Sequence, residues 1–290
     1  MRFFKEGKKI KKAAILFVLI VVAAVLFDIG RFFFYPDISL LKKTPVKTSF
    51  MEYREGLWRK EGKRRKIQQA WVPLSRVSPY IKKAVVIAED GEFWSHEGFD
   101  FEAMEEALLK NIREGRIKAG GSTITQQLAK NLYLDPRKTP ARKLKEGIIA
   151  WRLEREFSKK EILELYLNVA EWGDGIFGVE AASRRYFGKS SSELTPEEAA
   201  RLVVVLPNPR RWSPVGNSRY VERRSRAVYN TMVKRGIVPV VHMEAVEDLN
   251  AEGVPVPVEA PLEKISGDSN TEKSIEKVPE ASGNMTYGNI

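Results

Sequence analysis

Residues 120–131 read "GGSTITQQLAKN", and the rest of the chain is best read outward from them. Thr123-x-x-Gln126 is a capping-box pattern, in which the threonine hydroxyl takes a backbone N–H three residues on and the glutamine reaches back. Ile124, Leu128 and Leu132 then share one face at helical spacing. The two glycines before this helix start leave backbone N–H groups aimed at whatever anion sits there. Lys130 lies three residues after Gln127 and four after Gln126, so the donor-bearing face continues for a turn. An ordinary capped helix with solvated glutamines fits the same letters. The Gly-Lys-Ser/Thr ending of a phosphate-binding nucleotide loop is missing.

The same punctuation recurs on both sides. Ser158-x-x-Glu161 precedes Ile162, Leu165, Tyr166 and Val169. Thr195-Pro196-Glu197-Glu198 supplies a cap, a first-turn proline and a box glutamate, and "LPNPRRWSP" (206–214) stops that helix. Asp100 is placed to cap a helix carrying Phe101, Met104, Leu108 and Ile112. Strand signals are sparse, the best being "KKAVVIA" (82–88), where alternation is poor. The expected fold is mainly α.

The 290 residues suffice for one or two domains. With no cysteine there is neither a disulfide framework nor a thiolate metal site. The net charge of +11 is unevenly spread. Residues 1–12 hold six lysines and arginines against one acid, whereas ten acids and three lysines follow from Glu244 on. The basic body between them fits an anionic partner: nucleic acid, an anionic lipid surface or a phosphorylated substrate.

Residues 13–27, "AAILFVLIVVAAVLF", are unbroken apolar, at the short end for a spanning helix. A basic start and an apolar stretch describe a signal peptide as well as an anchor. No small-x-small cleavage site follows, and "FFFY" (32–35) reads as an interfacial belt. The expectation is an uncleaved single-pass anchor, with the amino terminus cytoplasmic by the positive-inside rule and the body outside the inner membrane. That placement removes the nucleic-acid reading. The organisation expected is a cytoplasmic basic segment (1–12), an anchor (13–29), a polar connector (30–70), a helical domain (71–240) and an acidic Pro/Glu/Ser/Gly-rich tail (244–290) read as disordered.

Upstream of the opening stretch, residues 88–100 read "AEDGEFWSHEGFD". A carboxylate beside aromatic surface is one way to prepare an acid for proton transfer. A capped turn with a salt bridge is the other reading of Glu89 and Asp90. Downstream, "RKLKE" (142–146) places Arg142 and Lys143 one helical turn before Glu146. Alone, that is a surface ion-pair cluster worth little.

Together these stretches resemble the peptidoglycan glycosyltransferases of glycosyltransferase family 51. The Glu-Asp-x-x-Phe-x-x-His-x-Gly-Phe-Asp signature is met at Glu89, Asp90, Phe93, His96, Gly98, Phe99 and Asp100. Gly-Gly-Ser-Thr-Ile-x-Gln-Gln-x-x-Lys-Asn is met at 120–131, including Asn131, and Arg-Lys-x-x-Glu at 142–146. Lys-x-x-Ile-Leu-x-x-Tyr-Leu-Asn is met from Lys159 through Tyr166 to Asn168. "GIFGVEAASRRYFGK" (175–189) and "LTPEEAARLVVVLPNP" (194–209) are also similar to that family. The residues flanking Glu89 are similar to the monofunctional members, and no room for a transpeptidase domain is expected after residue 240.

The resemblance implies a lysozyme-like helical lobe with a smaller jaw, a cleft between them and a membrane-facing apolar surface. It implies transfer of a lipid-linked glycan onto the 4-hydroxyl of lipid II, with undecaprenyl pyrophosphate leaving. Glu89 is then the general base and Glu146 a supporting acid near the pyrophosphate. Ser122, Gln126, Gln127, Lys130, Arg137, Arg142, Lys143 and Lys159 would line the substrate site. His96 is expected to shape its loop rather than react. No obligatory cofactor is implied, with a divalent cation (Mg²⁺ or Mn²⁺) as an option near Glu146. Partners would be lipid II, the lipid-linked glycan and the bilayer, with room for other cell-wall synthesis or division proteins. A lysozyme-like glycan-cleaving enzyme is the rival reading, and it has no need of the Gln-Gln-Lys helix. An idle membrane-anchored scaffold is the other, against which intact Glu89 and Glu146 argue. Ser274-x-x-Lys277 falls in the tail and carries no weight.

Overall fold

The computed structural model describes residues 2–42, 47–115, 120–137 and 139–238. The acidic tail, with its Ser274-x-x-Lys277 match, lies outside them. Ten α-helices and three short strands occur among the described residues. In chain order they are α1 (Arg2–Gly30), α2 (Ser49–Lys60), β1 (Gln68–Gln69), α3 (Pro79–Glu89), α4 (Phe101–Glu114) and α5 (Ile124–Tyr133). Then come α6 (Pro140–Glu156), α7 (Lys159–Val169), β2 (Glu171–Gly173), β3 (Ile176–Phe177), α8 (Val179–Phe187), α9 (Pro196–Val203) and α10 (Arg219–Lys234). The chain is mainly α, as its caps predict.

Those caps close as local chemistry dictates. Thr123, Ser158 and Thr195 each complete a full capping box with Gln126, Glu161 and Glu198. Asp100 accepts from the Ala103 amide at 2.8 Å to start α4. The run 82–88, the best strand signal in the sequence, is instead helical. Ser78 caps it and Pro79 occupies its first turn, which nucleates a helix. Its alternation is poor because α9 and α10 enclose it, so Ile81 and Ala84–Glu89 are all buried and only the first turns, with Lys82 and Lys83, reach solvent.

Helix α5 packs against α2, α6 and α7, while α3 packs against α9 and α10. One hydrophobic core joins them, with Phe93, Tyr166 and Trp172 fully buried in it. The sheet has the order β1-β3-β2, with β3 parallel to β1 and antiparallel to β2. Asn168 fastens the segment after β1 to α7: its side chain accepts from the Val72 amide and donates to the Val72 carbonyl, both at 2.8 Å. Just beyond, Gly178 sits at φ +85, where an added Cβ would stand 2.9 Å from the Asn168 carbonyl oxygen. Both the left-handed backbone and that backbone contact resist a side chain, so Gly178→Ala is expected to cost about 2–3 kcal/mol. Thermal unfolding checks it; a melting temperature unchanged from the parent would contradict the packing described.

The segment read as a connector is not merely polar linker. Within it α2 buries Met51, Arg54 and Trp58 and packs on α5. Arg54 forms a forked pair with Glu171 of β2, at 2.7–3.0 Å, with both side chains buried.

Helix α1 exposes its apolar side chains from Ile15 to Phe27. Among the described residues it alone is long and apolar enough to cross a membrane. Its end is seated on α6: Phe32 is buried, Lys145 pairs with Asp28, and Arg152 Nη1 donates to the Phe32 carbonyl at 3.0 Å. Helix α4 is the other exposed apolar element. It buries no residue, and Phe101, Met104, Leu108, Leu109 and Ile112 are exposed. A helical apolar stripe ordinarily faces a core. Here it faces outward, as a membrane-facing surface would.

Candidate active site

Glu89 ends α3 and is buried, with only 6% of its surface exposed. Gln127 Nε2 donates to its Oε2 at 2.7 Å, and Tyr166 donates its hydroxyl to Gln127 Oε1 at 3.1 Å. The glutamine is thereby oriented: the phenol fixes its oxygen, so its amide nitrogen faces the carboxylate. Burial, and then the negative charge of Glu89 and Asp90, push the Tyr166 phenol well above its ordinary range. It therefore stays a donor throughout.

Asp90 has a different task. Its Oδ2 accepts from the Ile124 amide at 2.8 Å and its Oδ1 lies 2.8 Å from His96 Nε2. His96 Nδ1 accepts from the Gly98 amide at 3.1 Å, so the ring proton resides on Nε2 and points at Asp90. The Gly98 carbonyl accepts from Thr123 Oγ1 at 2.7 Å. Loop 90–98 is thus clamped to the start of α5. Both ring nitrogens of His96 are used inside this clamp, which makes it a positioning residue. Phe93 supports the loop from within, edge-on to Trp94 at 5.0 Å.

The glycine pair turns out differently from its sequence reading. The anion at the α5 N-terminus is Asp90 itself, and the Gln126 amide is taken by Thr123. Gly121 serves packing instead, since a Cβ there would meet the α4 backbone at Met104 Cα, 2.7 Å away.

One turn along α5, the basic cluster assembles around Glu146, which is 3% exposed. Arg142 and Lys143 donate to its two oxygens. Lys143 Nζ also reaches Ser122 Oγ at 2.9 Å and Gln126 Oε1 at 3.2 Å, tying α6 to the start of α5. Arg142 Nε is buried and donates to no group among the described residues, so this donor is available to a ligand. Asn131 of α5 is buried.

Lys130 links the two acids. Burial depresses its pKa, and the charges it feels are those of Glu146, Arg142, Glu89 and Lys143. The depression makes stability rise with pH between the folded value and the unfolded value of 10.5, because there the unfolded chain binds the proton the folded one has lost. An anion at the cluster acts oppositely and raises the Lys130 pKa. Binding of inorganic pyrophosphate in that window is therefore expected to take up protons and to weaken as pH rises. Calorimetry in two buffers of unlike ionisation heat measures this. Equal proton uptake by the parent and Lys130→Met would remove Lys130 from the linkage.

Two expected substrate-binding residues stand apart. Arg137 clasps Asp135 at 2.7 Å with its side chain 80% exposed, outside the Glu146 cluster. Lys159 donates to Glu154 at 2.8 Å and sits 4.7 Å over the Phe93 ring. Glu154, which also accepts from Thr125, went unnoticed in the sequence because a lone acid on a helix carries no pattern. Tyr220 of α10 was equally invisible. Burial raises its phenol pKa, and among the charges it feels are those of Arg224 and Glu89.

Residues 57–233 match the family model described as Transglycosylase. The chain belongs to that family. It is 51% identical over 192 residues to the biosynthetic peptidoglycan transglycosylase of Aromatoleum aromaticum, covering 65% of this chain and 84% of that protein. To the protein of the same name in Nitrosospira multiformis it is 44% identical over 193 residues, covering 67% and 84%. The Methylobacillus flagellatus protein of that name is 41% identical over 210 residues, covering 72% and 92%. The transglycosylase match takes in Glu89, the clamp and the whole basic cluster, and it begins inside α2.

Proposed function

We propose that this transglycosylase polymerises peptidoglycan glycan strands from lipid II. The observation that carries the reading is the paired arrangement: a buried, Gln127-oriented carboxylate, and a cation cluster around buried Glu146 that reaches Gln126, the next residue of α5. Glu89 removes the proton from the 4-hydroxyl of the acceptor lipid II as that oxygen attacks the anomeric carbon of the donor. The bond from that carbon to the pyrophosphate breaks, and the electron pair leaves with undecaprenyl pyrophosphate. A single displacement of this kind inverts the anomeric centre. An alcohol holds its proton too tightly to attack without a base. The departing pyrophosphate gathers charge that Arg142, Lys143 and Lys130 are placed to meet.

Glu146 holds Arg142 and Lys143 in place rather than reacting. Both its oxygens are occupied by these cations, and no group of three His, Asp or Glu gathers among the described residues. These protein groups alone do not make a cage for a divalent ion. Such an ion belongs to the proposal only as a counter-ion brought in by the pyrophosphate, and no step runs through it.

Helix α1 would anchor the chain in the inner membrane with its amino terminus cytoplasmic and the catalytic body outside. The exposed α4 stripe would then rest against the same bilayer that holds the substrate's lipid tail. Purified full-length protein, incubated in detergent with labelled lipid II, is expected to yield products longer than the starting disaccharide. Cleavage of preformed glycan without any polymer would instead support a lysozyme-like enzyme.

A further inference from the structure

We propose that the groove between the segment 33–39, which follows α1, and the second half of α6 binds the phosphoethanolamine headgroup of a membrane phospholipid. The groove has a volume of about 300 Å³ and is lined by Phe33, Asp37, Trp151, Arg152, Arg155 and Glu156 among others. That volume is at the small end for a ligand pocket. Its lining holds two guanidinium groups and two carboxylates beside an edge-on aromatic pair, Phe33 and Trp151, with centroids 6.2 Å apart. Balanced charge of this kind suits a zwitterion better than a plain anion.

Each half of the headgroup has a partner. The Arg155 guanidinium lies over the Trp151 ring at 4.9 Å, and no described carboxylate pairs with it. Arg152 is fixed by the carbonyls of Phe32 and Phe34 at 3.0 and 3.4 Å, which uses two of its five donors. Together they offer a phosphate planar, charge-assisted donors. Glu156 is held by Lys42 at 2.6 Å, but that pair is exposed, and such pairs are worth little, so an ammonium group can replace the lysine. Asp37 adds a second acid at the rim.

Position selects a lipid as the source. The groove begins at the 3₁₀ turn Arg31–Phe33 that immediately follows α1, and Phe34 and Tyr35 stand exposed beside it. With α1 in a bilayer these aromatics lie at headgroup level, and the groove lies with them. Arg152 is six residues beyond Glu146 on α6, roughly 9 Å along the axis, so the groove is separate from the pyrophosphate cluster. The inference rests on α1 lying in a membrane and not on the transfer chemistry.

Native mass spectrometry of the full-length protein in detergent tests it. The detergent would carry equal amounts of phosphatidylethanolamine, phosphatidylglycerol and phosphatidylcholine with identical chains. Phosphatidylethanolamine is expected to be retained about tenfold over either competitor, because it alone offers Glu156 a charged hydrogen-bond donor: the phosphatidylcholine cation has no N–H and phosphatidylglycerol has no cation. Arg155→Gln is expected to abolish that retention. Glu156→Gln would lower it to the level of phosphatidylcholine. Both side chains are exposed, so folding is undisturbed, and unchanged thermal unfolding verifies this. On the parent protein, soluble O-phosphoethanolamine should displace the lipid while inorganic phosphate does not. Equal retention of the three lipids, a preference for phosphatidylglycerol, displacement by phosphate alone, or retention that survives Arg155→Gln would each overturn the proposal.

Discussion

Glu89→Gln is expected to abolish glycan polymerisation while leaving the fold intact. The substitution keeps the shape of the side chain, and its amide oxygen can still accept from Gln127 Nε2, the bond measured at 2.7 Å. What disappears is the ability to take a proton from the acceptor hydroxyl. General-base catalysis contributes about 10²–10⁴ in rate, so initial lipid II consumption should fall by roughly a thousandfold. Thermal unfolding should stay close to that of the parent, since the bond from Gln127 is kept. A rate retained to within about tenfold would show that another group serves as base. Asp90 is poorly placed to substitute, because both its oxygens are engaged by Ile124 and His96.

The second large effect concerns stability. Glu171→Ala strands Arg54, whose guanidinium is buried and whose Nε and Nη2 both point at the lost carboxylate. Removing one partner of a buried pair typically costs about 3–5 kcal/mol, because an uncompensated charge remains inside. For a domain of this size that corresponds to a fall in melting temperature of about 6–20 °C. The Phe50 ring, 5.0 Å from the Arg54 guanidinium, is too weak a partner to offset the loss. Adding Arg54→Met to the same chain should recover part of it, since no uncompensated charge then remains, while the space left by Glu171 stays open and the Gly175 amide stays without its acceptor. If the double substitution were no more stable than Glu171→Ala alone, the stranded charge would not be the cause. Turnover below the transition should be nearly unchanged, because neither residue touches the Glu89 or Glu146 groups.

These two residues differ in how visible they are in the sequence. Glu89 is visible because it stands in a short local motif, residues 89–100, whose role the family resemblance implies. The capping boxes at Thr123, Ser158 and Thr195 are legible for the same reason, since each is a local hydrogen-bond exchange over three residues. Arg54 and Glu171 are 117 positions apart, and nothing local joins them. The apolar run of α3 carries only a weak signal of either kind, because a helix enclosed by two others loses most of its polar face, and with it the period. Helix α4 is legible as a helix, though the surroundings of its apolar face are not. Its stripe has core-like spacing, yet whether such a stripe meets protein or lipid is settled by neighbours that the pattern does not contain.

The sequence by itself determined the helical elements and their caps, because these follow from side-chain chemistry over a few residues, and it offered the reacting groups through a family resemblance. Only the tertiary structure decided which groups share a site. It turned Asp90 into the anion at the α5 N-terminus, left Arg137 with Asp135, set Tyr220 within the field of Glu89, and exposed α4. The physical reason is range: capping acts through the adjacent backbone, whereas burial and the pairing of charges depend on which distant segments exclude water together.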